Sequence, residues 1–198
     1  MNTPTPNRID KLNQLTTPLL EWYSSAARDL PWRTPASETH RPDPYHVWVS
    51  EIMLQQTRVE AVKGYYARFL TAFPNIKSLA NAPQDELMKL WQGLGYYSRA
   101  NNLKRAAIEI EERFHGEFPR TYQEILSLPG IGEYTAGAIA SIALGEAVPA
   151  IDGNVYRIYT RLFEDGSDIT KAAFKKQLRS ELLQTIPPGA PGIYNQAW

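Results

Sequence analysis

Leu126-Ser127-Leu128-Pro129-Gly130-Ile131-Gly132-Glu133-Tyr134-Thr135-Ala136-Gly137 lies between two helix signals. Upstream, Thr121-Tyr122-Gln123-Glu124 has capping-box spacing and predicts a short helix to about Ser127. Pro129 ends it, because proline disfavours helical dihedrals in the residue before it. Gly130 and Gly132 permit a tight turn with backbone close to the surface. A second helix is expected from Glu133 through Ala136-Gly137-Ala138-Ile139-Ala140, making a helix, a glycine hairpin and a helix over about 121–144. Free amides at the second helix's N terminus favour an anion, the phosphate of a nucleic acid among them. A plain loop between two core helices carries the same signature, so the stretch alone fits both readings.

Around it the chain reads as all-α. Thr17-Pro18 has the form of an N-cap followed by proline at the first helical position, with Leu19, Leu20, Trp22 and Tyr23 as an apolar face, and Pro31-Trp32-Arg33 stops that helix. The loop 34–44 is the expected boundary between lobes, and residues 1–7 form a polar tail. Asp43-Pro44 starts a helix carrying Tyr45, Trp48, Val49, Ile52 and Met53. Amphipathic helices follow on Val59, Val62, Tyr66, Phe69 and Phe73, then from Pro83, then over roughly Ser98 to Phe114. Val148-Pro149-Ala150-Ile151-Asp152-Gly153-Asn154-Val155 places a lone carboxylate between a strand-like apolar run and a new helix with Val155, Ile158, Tyr159 and Leu162. Phe174, Leu178 and Leu182 repeat at the same spacing.

The 198 residues carry 21 basic and 21 acidic side chains, so any nucleic-acid footprint must be local rather than a matter of net charge. No apolar run reaches the length of a membrane span, and the first 17 residues are too polar for a signal peptide, which makes an intracellular protein the expectation. Zero cysteine excludes disulfides and thiolate metal sites within these residues.

Two joints between helices could carry chemistry. In Ser50-Glu51-Ile52-Met53-Leu54-Gln55-Gln56-Thr57-Arg58, Glu51 stands among apolar residues, where a carboxyl tends to keep its proton and can serve as a general acid. An ordinary surface glutamate has the same pattern. Gln55-Gln56-Thr57 is either a cap or a wedge that fills the gap left by an extruded base. In Gly93-Leu94-Gly95-Tyr96-Tyr97-Ser98-Arg99, ring faces and a basic helix suit unstacked bases and phosphates, although a solvated helix with core tyrosines is equally natural.

The hairpin and Asp152 together resemble the helix-hairpin-helix DNA glycosylases. Adding Trp32-Arg33, Ser50 to Thr57, Gly93 to Tyr97, and Ile151 to Val155, the chain is similar to the MutY family of adenine DNA glycosylases from about Leu19 onward. The Glu51 segment separates that family from endonuclease III. The resemblance implies hydrolysis of the N-glycosidic bond of adenine mispaired with 8-oxoguanine or guanine. It implies that Glu51 protonates adenine at N7 and later helps to activate water, that Asp152 stabilises the oxocarbenium-like sugar, and that Tyr134 and Asn154 support them. Trp32, Arg33 and Leu54 would receive the flipped adenine, Gln56 and Tyr96 would wedge into the duplex, and Gln55, Thr57 and Gln196 would join them in binding the substrate. Gly130, Ile131, Gly132 and Arg99 would hold the DNA backbone, with a monovalent cation near the hairpin.

The resemblance also sets expectations for organisation. A six-helix barrel over 34–148 and a second lobe made of 1–33 plus 149–198 would enclose the site between them. Family members carry a 4Fe-4S cluster on four cysteines that follow this region, then a domain that helps to recognise 8-oxoguanine. Gly192 to Trp198 looks like the start of the helix leading to those cysteines, so the chain is expected to be a fragment lacking the cluster. A monomer acting on double-stranded DNA in a bacterial cytoplasm, away from membranes, is the remaining expectation. Endonuclease III would place a lysine where this chain has Tyr134, making a strand-cleaving lyase the rival enzyme. A non-catalytic DNA-binding module would need only the hairpin.

Overall fold

The computed structural model describes residues 7–33 and 41–198, and every regular element among them is a helix. The tail 1–6 and most of the loop expected as a boundary, 34–40, lie outside the described residues.

The first half is built around α2 (Pro44–Leu54), following α1 (Arg8–Ala26). Asp43 caps α2 by accepting from the Tyr45 amide at 2.8 Å, and Pro44 occupies the first helical position, where its missing N–H has no cost. Tyr45, Val47, Trp48, Val49, Ser50, Ile52 and Met53 are all buried, so the helix is covered on most of its sides. Around it stand α3 (Val59–Ala72), α4 (Ile76–Ala80), α5 (Gln84–Trp91), α6 (Ser98–Phe114), α7 (Tyr122–Leu126) and α8 (Glu133–Ile139). Trp48, Phe69, Trp91, Leu103 and Ile110 are core residues here, each contributing about 1.5–3 kcal/mol of burial.

The second core joins the chain's two ends. Leu12 of α1 packs with Val155 and Tyr159 of α9 (Gly153–Leu162), with Phe174, Leu178 and Leu182 of α10 (Ala172–Thr185), and with Tyr194 of α11 (Pro191–Ala197). Leu30 and Trp32, expected with this lobe, instead belong to the first core.

Several local expectations are corrected. Asn7 is not tail but the N-cap of α1, accepting from the Asp10 amide at 2.9 Å. Pro18 does not start a helix; it lies inside α1, which runs on to Ala26. The helix continues because Leu12 before the proline and Leu20 after it both pack on the second core, while the exposed Gln14 lets water reach the carbonyl that Pro18 cannot serve. Helix α1 therefore ends before Pro31, and Trp22, read as part of its apolar face, is 56% exposed. Helix α4, unread in the sequence, is closed by a capping box between Asn75 and Ser78. The apolar run before Asp152 is irregular chain rather than strand. Helix α8 passes into a π-helical turn, Ala140–Leu144, on which α11 is seated closely: a Cβ on Gly192 would lie 2.7 Å from the Ile142 Cα.

Candidate active site

The hairpin forms as its residues dictate. Thr121 and Glu124 make a reciprocal capping box at α7, and the Ile131 amide donates to the Leu128 carbonyl at 3.2 Å to close the turn. Gly130 has φ +76°, and a Cβ there would lie 2.6 Å from the Asn102 Cβ, so glycine is required on both counts. Gly132 has φ −96°, an ordinary backbone value, and open space where a Cβ would be; the expected need for its flexibility is absent. Both glycines are exposed, whereas the Ile131 side chain is buried in the first core and its amide already donates to Leu128, so that amide is not free for a phosphate. No side chain caps α8.

Glu51 reaches the surface of α2 where that helix passes α8. It lines a cleft of about 470 Å³ together with Trp32, Arg33, Leu54, Tyr134, Asp152, Asn154 and Gln196. Residues from both core clusters line it, Leu30 and Val47 from the first and Val155 from the second. Eight of the residues singled out in the sequence thus meet in one place. Burial pushes the Glu51 carboxyl up from its ordinary 4.5 to about 7; the Tyr134 hydroxyl and Arg33 oppose the rise, and nearby Asp152 adds to it. A carboxyl titrating there is available in both its acid and its base form near neutral pH. The Tyr134 phenol is itself raised by burial first, then by the Glu51 and Asp152 charges.

Asp152 is the N-cap of α9. Its Oδ1 accepts from the Asn154 and Val155 amides at 2.8 and 2.9 Å, and its Oδ2 accepts from the Asn154 side-chain amide at 2.8 Å. Arg157 in turn donates to the Asn154 side-chain Oδ1 at 2.9 Å, so the carboxylate is fixed through a chain of three side chains. An anion at a helix N terminus is favourably placed.

A more open groove adjoins the cleft and shares Glu51, Leu54, Tyr134 and Asp152 with it; Gln55, Gln56, Tyr96, Ser98 and Arg99 complete its lining. Gln56 and Tyr96 both have positive φ, +55° and +47°, and Tyr96 is 60% exposed. Non-glycine residues in that region cost energy and are kept by the surrounding structure. Arg99 supplies the restraint. Its guanidinium donates to the carbonyls of Ile52, Met53 and Gln55 on one side and of Leu94 and Gly95 on the other. It also donates to the Thr57 hydroxyl at 3.1 Å. The carbonyls just before Gln56 and Tyr96 are thereby tied to one cation. Arg99 is only 8% exposed, so the expectation that it faces phosphates is corrected: it points inward from the first turn of α6 and binds backbone. Gln55 donates weakly to Thr135 at 3.4 Å.

Tyr23 and Arg28 also line the cleft. Tyr23, taken as an apolar-face residue, donates to the Gln196 side-chain oxygen at 3.2 Å and lies under the Arg33 guanidinium. Neither position carries a sequence signal for the cleft, because their role depends on the chain after α1 reaching the first core through Leu30 and Trp32.

A family model described as HhH-GPD superfamily base excision DNA repair protein matches residues 49–184. Over 182 residues the chain is 44% identical to the adenine DNA glycosylase of Mus musculus, covering 90% of this chain and 35% of that protein. The adenine DNA glycosylase of Buchnera aphidicola subsp. Baizongia pistaciae is 39% identical over 180 residues, covering 90% of this chain and 49% of that protein. The chain thus spans about a third to a half of the length of these curated relatives. Among solved structures, a thermostable thymine-DNA glycosylase superposes with TM-score 0.82 at 27% identity, covering 94% of this chain and 84% of that one.

Proposed function

Because the chain belongs to the HhH-GPD superfamily of base excision DNA repair proteins, we propose that it carries the catalytic machinery of an adenine DNA glycosylase. The observation that carries this reading is the cleft that unites Glu51, whose carboxyl burial pushes up to about 7, with a rigidly held Asp152. The similarity to adenine DNA glycosylases over 90% of the chain supports it.

The reaction follows from what each group can supply. Glycosidic cleavage sends the bonding electron pair to the departing base and leaves positive charge on the sugar. Glu51 donates its proton to the adenine ring as that bond breaks, so the base leaves neutral. Asp152 stabilises the developing oxocarbenium charge from a position its hydrogen bonds prevent from drifting. Glu51, now ionised, accepts a proton from the water that adds to the anomeric carbon, which returns the acid form. No lysine lines the cleft or the adjoining groove among the described residues, and the Tyr134 phenol cannot form an imine. The product is therefore an abasic site in an intact strand.

The DNA partner is a duplex whose adenine is turned out into the cleft, at a cost of a few kcal/mol in lost stacking. Gln56 and Tyr96 are the wedge that enters the vacated space, and the exposed backbone at Gly130 and Gly132 meets a phosphate, with a monovalent cation beside the hairpin. Adenine opposite 8-oxoguanine or guanine is the substrate. A monomer in the cytoplasm is the working form; no helix of the described residues is long and apolar enough to cross a membrane. The residues present do not fit a 4Fe-4S cluster, since the sequence has no cysteine and no three His, Asp or Glu converge among the described residues.

Adenine release from duplexes carrying A opposite 8-oxoguanine, guanine or thymine tests the proposal. Release from the first two and none from the third is expected. Absence of release from all three, or equal release from all, would contradict it.

A further inference from the structure

We infer that Asn195 is a positioning residue for Asp152, an inference that rests on the catalytic reading of that carboxylate. Between the π-helical turn and α9 the chain is irregular from 145 to 152, and Pro149 has no N–H to anchor it. Such a segment delivers Asp152 accurately only if something outside it fixes the backbone. From α11, the Asn195 side-chain amide donates through Nδ2 to the Val148 carbonyl at 2.8 Å and accepts through Oδ1 from the Ala150 amide at 3.0 Å. One planar group thus bonds an acceptor and a donor two residues apart, as a neighbouring strand would.

Helix α8 closes the other side. A Cβ on Gly137 would lie 2.7 Å from the Pro149 carbonyl oxygen, so the segment rests directly on the α8 backbone. It is gripped between α8, which carries Tyr134, and α11, which carries Gln196. No other side chain among the described residues hydrogen-bonds the backbone of 148–151, and Asp152 follows Ala150 by two residues. Asn195 is therefore the clamp upstream of the carboxylate, as the Asn154 amide and side chain are the clamp downstream.

Aspartate at 195 keeps the size and the acceptor for Ala150 but presents an oxygen to the Val148 carbonyl, turning one hydrogen bond into a repulsion. Alanine removes both bonds. A displacement of an ångström at a reacting group can lower a rate about a hundredfold. The test is a cycle of single-turnover adenine release by the parent, Asn195→Asp, Asp152→Asn and the double variant. Asn195→Ala is carried alongside, and Kd is measured for a duplex with a non-hydrolysable 2′-fluoroadenosine. Asn195→Asp is expected to slow release tenfold or more, on the order of the hundredfold above. Its Kd should stay within about twofold, and it should slow the Asp152→Asn background no further. A variant at the parent rate, or the same fold loss in both backgrounds, would overturn the clamp in favour of a general packing role.

A second readout does not depend on activity. The Ala150 amide should be protected from hydrogen exchange in the parent and exchange at least about tenfold faster in Asn195→Asp. Equal protection would overturn the inference. If the parent releases no adenine while Asn195→Asp still loses this protection relative to it, the proposed function would be overturned and the clamp left standing.

Discussion

Replacing Glu51 by glutamine exchanges a carboxyl that the folded chain keeps protonated up to about pH 7 for an amide that never ionises. The unfolded chain releases that proton near the ordinary value of 4.5, so the folded state binds more protons throughout the window between the two values. Stability of the parent must then fall as pH rises from 4.5 to 7, and the deficit persists above it. At about 1.4 kcal/mol for each pH unit of separation, the ceiling is about 3 kcal/mol. Solvent in the open cleft screens part of it, which leaves roughly 1–3 kcal/mol. The Glu51→Gln variant should therefore melt higher than the parent at pH 8, by roughly 2–12 °C for a chain of this size, and match it at pH 4. Thermal melts by circular dichroism across pH 4 to 8 measure this directly. The same variant should release adenine roughly two to three orders of magnitude more slowly, because the proton donor is gone. Parent activity should decline above about pH 7 as Glu51 ionises. A stability difference that is flat between pH 4 and 8 would refute the reasoning that burial holds the proton on Glu51.

Asp152→Asn should lower adenine release by about two to three orders of magnitude, yet change stability by less than about 1 kcal/mol, because asparagine also caps helices; paired melts and single-turnover rates check both halves. Tyr134→Lys should create a borohydride-trappable protein–DNA adduct that the parent does not form, read as a shifted band on a denaturing gel. Arg99→Met should cost about 3–5 kcal/mol in urea unfolding, since it leaves five backbone carbonyls without their charged donor, and should weaken discrimination of the base opposite adenine by freeing Gln56 and Tyr96.

What the sequence displays depends on whether a feature is local. The Asp43-Pro44 cap, the Thr121 and Glu124 box and the span of α6 were readable because each is a short-range signal, and all three occur as expected. The candidate site was legible only in part this way: Glu51 amid apolar neighbours and Asp152 after a proline-bounded run each fit an ordinary structural role as well, and it was the joint resemblance of several motifs to one family that pointed to a shared cleft. Features set by distant packing were not. Pro18 reads as a helix start because its local chemistry says so, and only burial of Leu12 and Leu20 on the second core carries α1 through it. Arg99 reads as a surface cation on a basic helix, yet the carbonyls it binds come from α2 and from the Gly95 loop, elements remote from one another in the chain. Five residues are too few for α4 to show periodicity, so its cap was the only available sign. The clamp at Asn195 spans 45 and 47 residues of sequence and has no local mark at all.

The most direct test follows one single-turnover reaction on a duplex with adenine opposite 8-oxoguanine, reading free adenine and strand breakage from the same samples. Two carboxylates and no lysine in the cleft among the described residues predict that adenine appears with first-order kinetics while the strand stays whole until alkali is added. Strand scission that keeps pace with adenine release, without heat or alkali, would contradict the account.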